Sequence, residues 1–349
     1  MKLISYFLPQ FYPTPENDKY WGKDFTDWVN VKKAKPLFKG HKQPLLPLDN
    51  DFYDLSDLKV LEKHCQQSID NGIDGFGYWH YWFDSGNKTL EKVQEMHLNN
   101  KHIKQNFFFA WANTNWTKSW VGDDKVTIFK QEYSKQSAID HFEYLKDFIT
   151  DDRYIKFKDK PMFQVLNPHI KEAKSYILLL EKMAFETFGK GFFWVFPVDK
   201  DIAGLEHLDF SLAGFPPGDV TGTINKFKIK RHLQRFGFFK GPVRVSQDSY
   251  IKKFKTNLTK VLNSNSLYFP CVLTGWDNTP RYKERGFVID GEISTFVKKQ
   301  LDTLKGIKQE LPEIVFIKAW NEWAEGNVVE PYVFDGKTDF PINEIKKFK

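Results

Sequence analysis

Two hydrophobic rhythms alternate along this chain. Short, mostly apolar runs recur at Leu3–Leu8, Gly72–Tyr78 (continuing through Trp79 to Asp84), Phe107–Trp111 and Pro161–Leu166. They recur again at Gly191–Phe196, Phe210–Phe215, Tyr268–Thr274 and Ile314–Ala319. Near-continuous apolar runs of this length fit strands buried on both faces. Between most of them, apolar residues fall three and four apart. Examples are Leu58, Leu61, Cys65 and Ile69; Ala138, Phe142, Leu145 and Phe148; and Ile293, Phe296, Val297, Leu301 and Leu304. That spacing predicts amphipathic helices. Eight strands alternating with helices predict an α/β protein, a single (β/α)8 TIM barrel with long βα loops, with residues 1–349 as one domain. An open doubly wound sheet is the alternative. It is disfavoured because no Gly-x-Gly-x-x-Gly turn follows the first strand. Residues 219–265 read as lysine-rich and irregular, with helical signs only around 250–262.

In such a barrel the chemistry collects at the C-terminal ends of the strands. Those ends carry Gln10, the stretch Tyr78, His80, Tyr81 and Trp82, then Trp111, Asn113, Asn115 and Trp116. Later come Trp276 and Asp277, with Arg281 close behind, and finally Trp320, Asn321, Glu322, Trp323 and Glu325. Tryptophans and amides gathered at one rim have the composition of a glycan groove. Glu322 and Glu325 are the only close carboxylate pair at a strand end. On a helical turn, residues three apart share a face, with Cβ atoms about 5–6 Å apart. Two carboxyls that close split their pKa values, leaving one as acid and the other as base. The plainer reading is a packed rim whose glutamates form solvated ion pairs.

Composition narrows the choices. Aromatic residues reach 17% and the net charge is only +6, with lysines scattered, so a nucleic-acid groove is not expected. Two cysteines without metal spacing predict neither a disulfide framework nor a protein metal site. No cofactor is expected. The N-terminal run is too short for a signal segment with a cleavage site, and no run approaches membrane-spanning length. The expectation is a soluble cytoplasmic protein without membrane insertion, of undetermined oligomeric state. Asp49-Asn-Asp51 and Asp199-Lys-Asp201 resemble the metal-binding strings of some glycosyltransferases.

Longer stretches carry a family resemblance. Tyr6-Phe-Leu-Pro-Gln-Phe-Tyr12, Lys33-Ala-Lys-Pro-Leu-Phe-Lys-Gly40, Trp111-Ala-Asn-Thr-Asn-Trp-Thr117, Gly275-Trp-Asp-Asn-Thr279 and Ala319-Trp-Asn-Glu-Trp-Ala-Glu-Gly326 resemble the WbsX-type proteins found with polysaccharide biosynthesis genes. That family is similar to glycoside hydrolase family 99, endo-α-1,2-mannosidases and mannanases built on (β/α)8 barrels. The resemblance implies a retaining hydrolase acting on an oligosaccharide or polysaccharide, such as a bacterial surface or O-antigen-type glycan. It implies Glu322 as the base on a sugar 2-hydroxyl, giving a 1,2-anhydro sugar, and Glu325 as general acid/base. It also adds Tyr6 to the candidate substrate-binding residues. Ala324 departs from the pattern, because family 99 typically has His there. A glycosyltransferase or transglycosylase and a non-catalytic glycan-binding barrel are the competing readings.

Overall fold

The computed structural model describes residues 1–84, 86–118, 123–221, 225–238, 240–264, 266–307 and 312–349. Eight parallel strands form its centre: β1 (Lys2–Phe7), β2 (Gly75–Trp82), β3 (Asn106–Trp111), β4 (Lys160–Val165), β5 (Phe193–Pro197), β6 (Phe210–Ala213), β7 (residues 268–273) and β8 (Ile314–Lys318). β1 pairs with both β2 and β8, so the first and last strands are neighbours. The ring closes through β7, which Pro270 divides. Tyr268 and Phe269 pair with β6, while Cys271 to Leu273 pair with β8. Proline has no N–H to donate to a ladder. Its carbonyl still accepts from Phe316 N at 2.8 Å, so β7 changes partner where its own donor is missing.

All eight expected strands are present, within about three residues at their ends. Helices such as Leu58–Asp70, Lys135–Ile149, Lys171–Phe188 and Ile293–Lys305 pack on the outside. Lys135–Ile149 is typical: Ser134 caps it by accepting from Ser137 N, and it buries Ala138, Phe142, Leu145 and Phe148. Turns alone join β5 to β6 among the described residues. One expectation is corrected. The stretch 219–265 is more ordered than its composition implies, with a helix at Asn225–Arg235 and a strand at Val243–Ser246 parallel to Phe287–Asp290. Residues 222–224, 239 and 265 of that stretch lie outside the described residues.

Strand side chains alternate between the barrel interior and the helix layer. Tyr6, Phe108, Gln164 and Phe316 point inward, and Tyr6 donates to Gln164 Oε1 at 2.8 Å. Gly77 belongs to this inner set. A Cβ there would meet the Phe108 ring at 2.7 Å, so only glycine leaves room for the interior aromatics. Phe7, Phe76 and Tyr78 point outward and pack among themselves beneath the helices.

Candidate active site

All eight strands run the same way, so their C-terminal ends share one rim, and a cavity of about 240 Å³ opens there. Its wall draws on Leu8 after β1, Trp79 and Tyr81 on β2, Asn115 and Trp116 after β3, and Leu166 after β4. Phe215 after β6, Arg281 after β7, and Lys318, Glu322 and Glu325 from β8 and its extension complete it. Tyr81 meets Trp116 edge-on at 4.7 Å, which gives the cavity an aromatic side.

Glu322 is held on both oxygens. Oε1 accepts from the Trp79 indole at 2.6 Å, and Oε2 accepts from Lys318 Nζ at 2.7 Å and Asn327 Nδ2 at 3.3 Å. Burial opposes its ionisation, but the Lys318 charge and these donors outweigh burial and hold its pKa below the usual carboxylate value. Glu325 has the opposite setting. It forms a 2.5 Å pair with Arg281 Nη1, and Lys318 is more distant at 3.6 Å. Burial, with neighbouring Glu322 adding to it, overcomes both cations and raises Glu325 to about 7.

The ion pairs give a reason for this split. Arg281 is shared, because its Nη2 also contacts Asp27 Oδ2 at 2.5 Å, and Asp27 is fully buried. Lys318 and Arg281 thus face Glu322, Glu325 and Asp27, two cations against three carboxyls. Glu322 lies 2.7 Å from Lys318, whereas Glu325 shares Arg281 with Asp27 and stands 3.6 Å from Lys318, so Glu325 is the less compensated of the cavity pair.

The backbone places the pair. β8 ends at Lys318, joined to Ala319 by a cis peptide. Asn321 then clasps β1, accepting from Leu8 N at 2.7 Å and donating to Leu8 O at 2.9 Å. Trp323–Glu325 form a short 3₁₀ turn that stops at Gly326, whose φ of +57° favours glycine. Glu325 O accepts from Asp277 N at 2.6 Å, tying this turn to the loop after β7.

Of the candidate residues, Glu322, Glu325, Tyr81, Asn115, Trp116 and Arg281 line the cavity. Several others face away from it because of strand alternation. Tyr78 bonds His97 at 2.9 Å, His80 bonds His141 at 2.8 Å, and Trp82 bonds Ser137 at 3.1 Å, all in the helix layer. Trp111 also lies there, donating to Trp82 O. Trp320 donates to His64 and Trp323 to Glu330, again behind the barrel wall. Tyr6 lies below the floor, stacked on Trp79 at 4.9 Å. Gln10 is fully buried, and its side-chain amide has no hydrogen-bond partner among the described residues.

Asn113, Asn321 and Asp277 fasten loops. Asn113 accepts from Asn167 N, and Asp277 binds His41, Gln43 and Thr279. Trp276 lies beside the site, its ring centroid 5.0 Å from Lys318 Nζ. Trp79, Lys318 and Asp27 were not among the candidates. Alternation along β2 pairs Trp79 with Tyr81, and Lys318 stands four residues before Glu322. Asp27 had no local signal, because its partner Arg281 is 254 residues away. Asp49 and Asp51 line a separate cavity of about 460 Å³ with His64, Trp323 and Glu330, and Asp201 pairs with Lys174.

Comparison with known proteins agrees with this architecture. A curated relative, the uncharacterized protein WxcX of Xanthomonas campestris pv. campestris, is 29% identical over 343 residues. The match covers 94% of this chain and 47% of WxcX, so the chain spans about half the length of that relative. Among solved structures, a GH99 endo-α-mannosidase from Bacteroides thetaiotaomicron superposes with a TM-score of 0.58 at 14% identity, covering 99% of this chain and 94% of the other. A glycoside hydrolase-like protein gives 0.59 at 11% identity, covering 100% and 92%. At these identities the likeness establishes the fold. The family model described as glycosyltransferase WbsX matches residues 3–339, and the chain belongs to that family.

Proposed function

We propose that residues 1–349 form one glycan-processing barrel that cleaves a glycosidic bond with retention, Glu322 serving as base and Glu325 as acid. The observation that carries this reading is a pair of carboxyls three residues apart in one aromatic-walled cavity, Glu322 held by Lys318 and Glu325 by a shared Arg281, with their pKa values driven in opposite directions. An ionised Glu322 takes the proton from a sugar 2-hydroxyl, and that oxygen attacks the anomeric carbon as the exocyclic bond breaks. Glu325 delivers its proton to the departing oxygen. Water then opens the anhydro ring: Glu325 accepts the water proton and Glu322 returns its own to the 2-oxygen. Both carboxyls end the cycle as they began, and no covalent glycosyl-enzyme forms, in contrast to the usual retaining pair.

Each role matches its surroundings. Lys318 and Trp79 fix both oxygens of the base, so little reorganisation precedes proton transfer. The acid has a pKa of about 7, the range in which a carboxyl can both give and take a proton at neutral pH. Similarity to the GH99 endo-α-mannosidase fold supports an α-mannoside-like substrate, and a bacterial surface polysaccharide is the setting this reading takes for it. Ala324 removes a side chain typical of that class, so the sugar bound beside it is expected to differ.

The test combines two variants with two substrates. Glu322→Gln and Glu325→Gln should each lower turnover by about 10²–10⁴-fold while glycan binding persists. An activated leaving group should partly rescue Glu325→Gln but not Glu322→Gln, and a 2-deoxy substrate should be inert. Full activity in both variants would make the pair structural. Normal turnover of the 2-deoxy substrate would eliminate the anhydro-sugar route. Binding of oligosaccharide without cleavage by the unmodified protein would favour a binding barrel.

A further inference from the structure

Away from the cavity, the described side chains of the helix Asn225–Arg235, those of residues 229–235, are packed the unusual way round. A surface helix ordinarily turns its apolar stripe toward the core. Among these described side chains the inward contacts are polar. Arg231 Nη1 donates to Arg285 O at 2.8 Å, and Gln234 Nε2 donates to Glu284 O at 2.7 Å and Gly241 O at 3.0 Å. Ile229, Leu233 and Phe236 follow at i, i+4 and i+7. At about 100° per residue they cluster on the face opposite Arg231 and Gln234. They are 59%, 38% and 60% exposed, and Phe238 just beyond is 81% exposed. Elsewhere, exposed large apolar residues such as Phe185 and Phe340 lie far apart in sequence, and isolated ones need no explanation.

The charge around this stripe has one sign. Residues 220–247 contain seven Lys or Arg and no Asp or Glu. Lys230, Arg235 and Lys240 flank the exposed apolar residues, and Arg244 pairs with Asp290. A helix with a basic flank and an exposed aliphatic and aromatic stripe has the character of one that lies in a lipid interface. Its apolar side chains enter the acyl boundary and its cations meet anionic headgroups. The described helices include none long and apolar enough to cross a membrane, which is consistent with a contact confined to the surface.

We propose that the face carrying Ile229, Leu233, Phe236 and Phe238 docks the protein on an anionic phospholipid surface. The helix belongs to the connection after β6, on the same side of the barrel as the cavity. The turn it grips, Lys283–Arg285, directly follows Arg281 of the cavity wall. Docking there brings the site close to a glycan carried on the membrane. The lipid contact itself does not depend on the hydrolase reading.

Co-sedimentation of the purified chain with phosphatidylcholine vesicles, with and without phosphatidylglycerol, tests this directly. The protein should sediment with the anionic vesicles only, and added salt should weaken the association. Phe236→Ser combined with Phe238→Ser removes two exposed rings, so the fold should be retained, as an unchanged thermal midpoint would verify. The vesicle partition coefficient should fall at least about tenfold. Absence of binding to anionic vesicles, or equal binding by the double variant, overturns the proposal. If the double variant instead converts a dimer to a monomer in light scattering and vesicles are not bound, a second copy of the chain covers this face.

Discussion

Glu322 and Glu330 lie eight residues apart on the same C-terminal segment, both buried, yet they hold their protons oppositely. Glu322 faces the cavity with Lys318 at 2.7 Å and is kept ionised. Glu330 faces the other side of the wall, among Tyr53, Trp323 and His64, with Tyr53 and Trp323 both donating to its Oε2 at 2.8 Å. Burial raises it to about 8 despite those donors, and it stays neutral. His64 beside it is also neutral: burial lowers it to about 3. Two hydrogen bonds to one oxygen therefore do not offset burial here. A lysine in contact does, and it keeps one carboxyl ionised at the cavity while the other stays neutral behind the wall.

Removing the lysine should have the largest effect. Lys318→Ala leaves Glu322 buried without its cation, and breaking a buried pair typically costs about 3–5 kcal/mol. Because the pair's contribution exists above the ordinary carboxylate pKa and is lost as pH falls through the depressed one, the loss should be greatest near neutral pH and shrink in acid. Denaturant unfolding at several pH values measures this, and adding Glu322→Gln to the lysine variant should recover part of the stability.

Glu330 should give the opposite pH trend. Its folded pKa is raised, so its contribution is complete below about 4.5 and is lost as pH rises toward about 8. The decline is at most about 1.4 kcal/mol per pH unit. Glu330→Gln should flatten that part of the stability–pH curve, and an unchanged slope would contradict a neutral Glu330.

A smaller effect should follow from the buried aspartate. Asp27→Asn frees Arg281 to act wholly on Glu325 and should lower the Glu325 pKa by about one unit. The readout is carboxyl ¹³C NMR of the labelled protein and, where turnover is followed, a basic limb of the pH profile moved to lower pH. A purely structural Asp27 would leave both where they are.

The smallest effect contrasts the two faces of β2. Trp82→Phe removes the hydrogen bond to Ser137 in the helix layer and should cost about 1 kcal/mol of stability with no change in glycan affinity. Trp79→Phe removes the donor to Glu322 and should lower turnover instead. Equal behaviour of the two would dissolve the inside–outside distinction.

The barrel was legible because eight doubly buried strands leave long apolar runs, and the Glu322–Glu325 pair because acids are scarce at such ends. The fine selection was not. Tyr78, His80 and Trp82 read as rim residues, yet period-two alternation turns all three outward and Trp79 and Tyr81 inward. Trp320 and Trp323 accompany the glutamates in sequence but cross to the other side of the wall. Asp27 and Arg281 meet only because the long first loop folds over the rim, a tertiary contact that no local pattern carries.

The balance of two cations against three carboxyls has a bearing on what enters. With Glu325 protonated, these five groups sum to zero, and losing that proton makes the sum negative. An uncharged saccharide leaves this sum untouched and meets the cavity through hydroxyls and ring faces. A nucleotide diphosphate would bring its negative charge to a place where Lys318 and Arg281 are already paired, and would have to displace a carboxylate to be held. On the reading proposed above, a neutral chain of sugars therefore suits the charge balance of the cavity better than an activated anionic donor.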